Sequence, residues 1–232
     1  MTVAEVLKKL ESAASPEIAS GMERFGIVTA SSFGISTPIL KQLARDVKNQ
    51  AKDRHVLALE LWKTGNYEAR AIAFLIDDPK KVTSVQMDAW AADFDNWATV
   101  DGSCCYLFCR TSHAYEKAFE WSERTPEFIK RAGFAQMAYL ALHDKKAEDE
   151  KLATFLAVIE KHADDERNFV KKAVNWALRQ IGKRNLNLNR LAIETAKRIK
   201  QQDSRSAKWI ATDALRELTS EKVTERLRKK SG

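Results

Sequence analysis

Apolar residues in this chain do not fall into the two-residue alternation of a half-buried strand. Runs rich in Val, Ile and Thr with that period are absent. Apolar and aromatic residues instead recur among polar ones, as Phe169, Val174, Trp176, Leu178 and Ile181 do between basic residues. Start signals divide the chain into helices. Thr2 with Glu5 and Thr83 with Gln86 read as capping boxes. Ser15-Pro16, Thr37-Pro38 and Thr125-Pro126 each pair an N-cap hydroxyl with a proline at the first helical position. Gly65 and Gly102 fit helix ends or turns, or in the case of Gly102 a first helical turn. The pattern predicts an all-α protein with about a dozen helices joined by short turns.

A repeat lies on top of this pattern. Phe128-Ile129-Lys130-Arg131-Ala132 recurs as Phe169-Val170-Lys171-Lys172-Ala173. A looser copy follows at Ser206-Ala207-Lys208-Trp209-Ile210, and a fourth candidate lies upstream at Glu68-Ala69-Arg70-Ala71-Ile72. A period of about 40 residues with two helices per unit is the mark of HEAT-type repeats. Such pairs stack because one pair cannot bury its apolar face alone. The expectation is a curved solenoid forming a single domain over 1–232. In this register Arg70, Arg131, Lys172 and Lys208 are equivalent and would form a ladder of cations. Amphipathic helices also share short patterns by coincidence.

Composition sharpens the picture. There are four Pro, none after Pro126, so the C-terminal half lacks the strongest helix breaker. Residues 1–126 hold 15 Lys+Arg against 17 Asp+Glu, whereas 167–216 hold 13 against 3. This basic excess fits either solvated helix faces or a polyanion partner. No apolar run reaches the roughly 18 residues needed to span a bilayer. The N-terminus lacks the basic-then-apolar pattern of a signal peptide, so a cytoplasmic chain is expected.

Few residues offer chemistry. Trp97 and Asp101 stand four apart and would share a helix face. The same spacing also fits a core Trp beside an Asp that caps the next helix. Trp176 lies one turn beyond Lys172 and is open to the same core reading. Cys105, Cys109 and His113 follow one another at i, i+4. Along one straight helix the outer two would be about 12 Å apart, too far to share an ion. They read as core thiols, and neither metal nor cofactor is expected. Gly-rich phosphate loops, GxSxG elbows and kinase signatures are missing.

Four segments, in order, resemble the DNA alkylation repair family of HEAT-like-repeat proteins, the AlkD-type DNA glycosylases. Phe33-Gly34-Ile35-Ser36-Thr37-Pro38 resembles the family's Gly-Ile-x-Thr-Pro helix entry. Trp97-x-x-x-Asp101 resembles its Trp and catalytic Asp, and Lys130-Arg131-Ala132 carries its DNA-contacting Arg at Arg131. Lys172-Ala173-Val174-Asn175-Trp176-x-Leu178-Arg179 resembles its second active-site Trp with neighbours. The likeness runs from about Met22 to the C-terminal helices. Three positions depart from it. Asn96 and Ala98 flank Trp97 where the family often has a second Trp and an acid. Phe25 stands where well-studied members have Tyr.

The resemblance implies excision of cationic alkylated purines, of the N3-methyladenine and N7-methylguanine type, from duplex DNA by a monomer. Such a base leaves without a general acid. Asp101 would stabilise the oxocarbenium-like sugar and position water. Trp97 and Trp176 would offer π-faces to the cationic sugar and base. Arg131 would hold a phosphate. Arg70, Lys171, Lys172, Arg179, Lys183, Lys208 and Phe25 complete the expected DNA-contacting set, on a protein that joins the nucleoid when bound to DNA. Two other readings remain open. One is a family member that binds damaged or branched DNA without excising bases. The other is a HEAT-type scaffold for an acidic protein.

Overall fold

The computed structural model describes residues 1–27 and 31–231. Among them it contains fourteen α-helices and no strand. They fall into two compact units, Met1–His113 and Ala114–Gly232. Unit 1 holds α1 (Val3–Ser12), α2 (Pro16–Gly21), a 3₁₀ turn (Met22–Phe25), α3 (Thr37–Gln50), α4 (Arg54–Lys63), α5 (Tyr67–Ile76), α6 (Ser84–Ala92), α7 (Trp97–Tyr106) and a second 3₁₀ turn (Phe108–Arg110). Unit 2 holds α8 (Ala114–Ser122), α9 (Glu127–His143), α10 (Asp149–Lys161), α11 (Asn168–Gly182), α12 (Leu186–Ile199), α13 (Arg205–Leu218) and α14 (Glu221–Ser231). No helix among the described residues is long and apolar enough to cross a membrane.

Several helix starts are as expected. Thr2 and Glu5 make both bonds of a capping box, and Ser15 caps α2 with Pro16 at its first position. Thr83 accepts from the Gln86 amide, but the Gln86 side chain turns away to Asp77 (2.8 Å), leaving half a box. Two starts shift by one residue. Ser36 rather than Thr37 precedes α3, and Pro126 rather than Thr125 precedes α9. A helix leaves its first amides unbonded, so a proline fits at any of these positions. Gly65 follows α4 with φ +71, a left-handed turn, whereas Gly102 lies inside α7.

In unit 1 the odd-numbered helices pack in series, α3 on α5 and α5 on α7, with α4 against α5. The entry segment before α3 is held by one side chain. Glu68, fully buried on α5, accepts from the Ser32 hydroxyl (2.8 Å) and from the amides of Phe33 (2.9 Å), Gly34 (2.9 Å) and Ile35 (3.2 Å). Gly34 is left-handed there, and a Cβ on it would meet the Ser15 carbonyl oxygen at 2.3 Å. The glycine of the entry motif is therefore required by both backbone and space.

In unit 2 the repeat is visible as rungs between helices about one period apart. α9 packs on α11, and α11 on α13. Phe128 meets Phe169, with centroids 5.4 Å apart, and so the two copies of the five-residue motif touch. Asn175 donates to Asp213 (2.8 Å) and Arg179 to Glu217 (2.7 Å), each 38 residues apart. Arg198 on α12 reaches Glu160 on α10 across the same 38 residues. The helices run close: a Cβ on Gly133 of α9 would lie 2.4 Å from the Ser122 amide of α8.

Asp165 ties the turn before α11 to the start of α9. It pairs with Arg167 (2.6 Å) and Lys130 (3.2 Å), and Arg167 also donates to the Thr125 carbonyl (2.7 Å). Burial raises its carboxyl pKa, but bonds from Arg167 and Lys130 outweigh this and hold it at about 2. A depressed carboxyl stabilises the fold above its unfolded pKa, and that stability drains away as pH falls from about 4 towards 2. Asp165→Asn is expected to cost on the order of 2 kcal/mol at neutral pH and to flatten this part of the acid limb. Urea unfolding of both proteins at pH 7, 4 and 3 checks it; equal pH slopes would refute it.

Candidate functional site

Asn96, fully buried, sets where α7 begins. Its side chain accepts from the Thr99 amide (2.9 Å) and donates to the Thr99 hydroxyl (3.0 Å) and to Asp95 (2.6 Å). Asn96 thus departs from the family pattern but serves as a strong N-cap. With the start fixed, Trp97 is the first residue of the helix and Asp101 lies one turn on, along the same face. Thr99 and Ser103 lie on the opposite, buried side. The alternative in which Asp101 caps the following helix does not occur.

Trp97 is half-buried, not a core residue. Its indole N–H donates to the Phe25 carbonyl at 2.7 Å, which fixes the ring and ties the first 3₁₀ turn to α7. The Phe25 ring itself is 71% exposed. Asp101 is half-buried. Its neighbour Gly102 lets α7 lie tight against α5, since a Cβ there would sit 2.4 Å from the Phe74 ring. Phe74 in turn stacks on Tyr106. Trp97, Asp101 and Phe25 are therefore all held by unit 1.

Arg70, also in unit 1, is half-buried. It donates to the Asp93 carbonyl (3.1 Å), lies near the Asp93 carboxylate (3.6 Å) and sits over the Trp62 ring (5.1 Å). In unit 2, Arg131 is only 6% exposed and donates to the Phe169 carbonyl (2.8 Å), joining α9 to the first turn of α11. Lys172 and Lys208 are exposed. The expected ladder of equivalent cations is thus uneven: two of its members hold helices together and two face solvent.

Trp176 is half-buried, with the Tyr139 ring edge-on at 4.8 Å. Arg179 and Lys183 both bond Glu217 at 2.7 Å. Burial raises the Glu217 pKa, but these two cations outweigh it and hold the carboxyl low. Their charge is largely neutralised within the fold. Lys171 instead points over the Trp209 ring, 5.6 Å from its centroid. Trp209, which the sequence marks only as part of the looser repeat copy, is 42% exposed. Its position 38 residues after Lys171, the offset of the neighbouring rungs, is the signal that marks it.

The cysteines fit core thiols in part. Cys104 is buried, and Cys105 and Cys109 are half-buried. Burial pushes the Cys109 thiol up to about 11, which makes it a poor nucleophile. Among the described residues, no group of three or more His, Cys, Asp or Glu is placed to hold a metal.

One solved structure, from a new family of proteins related to the HEAT-like repeat DNA glycosylases with affinity for branched DNA structures, is similar to this chain. The TM-score is 0.75 at 22% identity, over 94% of this chain and 95% of that one. The fold is thus the HEAT-like repeat fold that the repeat period predicts. No protein of curated function matches. The family model for DNA alkylation repair enzymes matches residues 6–218, nearly the whole chain. With its all-helical repeats and its Trp–Asp pair on α7, the chain belongs to the DNA alkylation repair enzyme family.

Proposed function

We propose that this protein hydrolyses the N-glycosidic bond of cationic alkylated purines in duplex DNA. The observation that carries the reading is the Trp97–Asp101 pair: one anchored indole and one half-buried carboxylate on a single helix face. An N3- or N7-alkylated purine carries positive charge and departs with the bonding electrons as a neutral base. The deoxyribose is left with oxocarbenium character at C1′. Asp101 stabilises that charge and accepts the proton of the water that adds to C1′. Trp97, on the same helix face as Asp101, supplies a π-face to the cationic sugar. Phosphates are held by exposed cations such as Lys172 and Lys208 rather than by those locked into the fold.

The test is a single-turnover assay on duplex DNA carrying one N7-methylguanine, with alkaline cleavage of the abasic product. Accumulating product supports the reading. Tight binding without product favours the second reading, a family member that binds DNA without excision. Its specific support is the similar structure whose family has affinity for branched DNA.

Lys172→Ala is expected to weaken binding to all duplex sequences alike and to lower the salt slope by about one counterion. Titrations at several salt concentrations read this directly. An unchanged slope would remove Lys172 from the phosphate-contacting set.

A further inference from the structure

We propose that the corner formed by Lys171 and Trp209 is a stacking platform for an unpaired base of DNA. The inference rests on the DNA-binding part of the proposed function and extends it to a substrate class, DNA with unpaired bases at a fork or branch.

The rungs between α11 and α13 carry the argument. Positions 171, 175 and 179 on α11 face 209, 213 and 217 on α13. At the lower two rungs an acidic residue answers its partner: Asp213 for Asn175, and Glu217 for Arg179. Arg216 adds a cation on Asp213, and Lys183 a second on Glu217. At the top rung the partner is an indole. The Lys171 charge is left unneutralised by its rung, beside a ring that is 42% exposed.

The surroundings are basic. Lys172, Arg205 and Lys208 are all exposed in the first turns of the same two helices. Acids lie close. Asp203 pairs with Lys208 at 3.1 Å on the surface. Glu166 accepts from the Ser204 hydroxyl (3.0 Å) and the Ser206 amide (3.1 Å), and its charge is shared with Arg205 and Lys171. Lys171, Lys172, Arg205 and Lys208 thus cluster at the heads of α11 and α13, among acids that include Asp203, Glu166 and Glu127 (3.3 Å from the Phe169 amide). Trp209 keeps 42% of its surface open to solvent within this patch. A flat aromatic surface within a cationic patch suits a base stacked on the ring with its phosphates on the lysines, and every base has such a face. Paired bases inside an intact duplex do not present theirs.

The experiment compares two fluorescent DNAs of the same sequence, a blunt duplex and a fork with two unpaired arms. Wild type, Trp209→Ala and Trp209→Phe are titrated with each, after urea midpoints confirm equal folding. Trp209→Ala is expected to weaken fork binding about tenfold and duplex binding less than about twofold. Trp209→Phe is expected to restore most of the loss. A 2-aminopurine at the first unpaired position should be quenched by wild type and not by Trp209→Ala. Equal loss on both DNAs, or no loss on either, overturns the platform while leaving DNA binding in place. Failure of wild type to bind either DNA overturns the DNA-binding reading, and the platform with it.

Discussion

Asp101→Asn is expected to lower single-turnover excision of N7-methylguanine by at least about 100-fold, the scale on which loss of one preorganised electrostatic group acts. The substitution keeps the size and shape of the side chain and removes its negative charge. Asp101 does not cap α7, which is Asn96's task, so the helix and the Trp97 anchor survive. Binding of undamaged duplex is expected to stay within about threefold, or to tighten slightly, because removing an anion near a polyanion cannot weaken attraction. Parallel excision and anisotropy titrations separate these effects. Full excision by Asp101→Asn would transfer the role of the carboxylate to another group. Loss of binding together with excision would show that the side chain supports the surface and not the reaction.

The second large effect concerns stability. Glu68→Ala is expected to cost about 3–5 kcal/mol, because it orphans the amides of Phe33 and Ile35 and leaves the Gly34 amide only the Ser32 hydroxyl (3.0 Å) and that hydroxyl only the Met22 sulfur (3.3 Å). Glu68→Gln, with one acceptor oxygen in place of two, is expected to lose a smaller part. The loss is local in origin. The carboxylate fixes residues 32–35, and the Phe33 carbonyl in turn accepts the Ser15 amide at 2.9 Å. The α2 segment leading to Phe25 thus depends on it. Urea denaturation measures the free energy, and a cost below about 1 kcal/mol for Glu68→Ala would show that water replaces the carboxylate freely.

These two side chains also mark what the sequence discloses. Trp97 and Asp101 are legible because their spacing matches a helical turn, and the direction of a helix face follows from spacing alone. The phase of that face is settled by Asn96, whose capping role depends on where the preceding chain turns. Glu68 and Arg131 are harder to read. Their partners include main-chain groups, the amides of residues 33–35 and the carbonyl of Phe169, and every residue carries such groups. A side chain that bonds to backbone leaves no complementary residue type to find. The repeat is legible where both copies use the same side chains, as at Phe128 and Phe169, and blurred where one rung swaps an acid for Trp209. The prolines at 38 and 126 give the helix starts to within one residue, since their tolerance extends over several positions.

The rungs 38 residues apart have a kinetic consequence. Each helix of unit 2 draws its support from the element one repeat away, so disruption propagates neighbour by neighbour from an end. α14 packs on α12 and α13, and its Arg226 reaches the Lys183 carbonyl. α13 packs on α11, α12 and α14. An opening that starts at α14 must break the Glu217 and Asp213 rungs before it reaches α11. In such an opening the exposed cations at the head of α13 are released before Trp176.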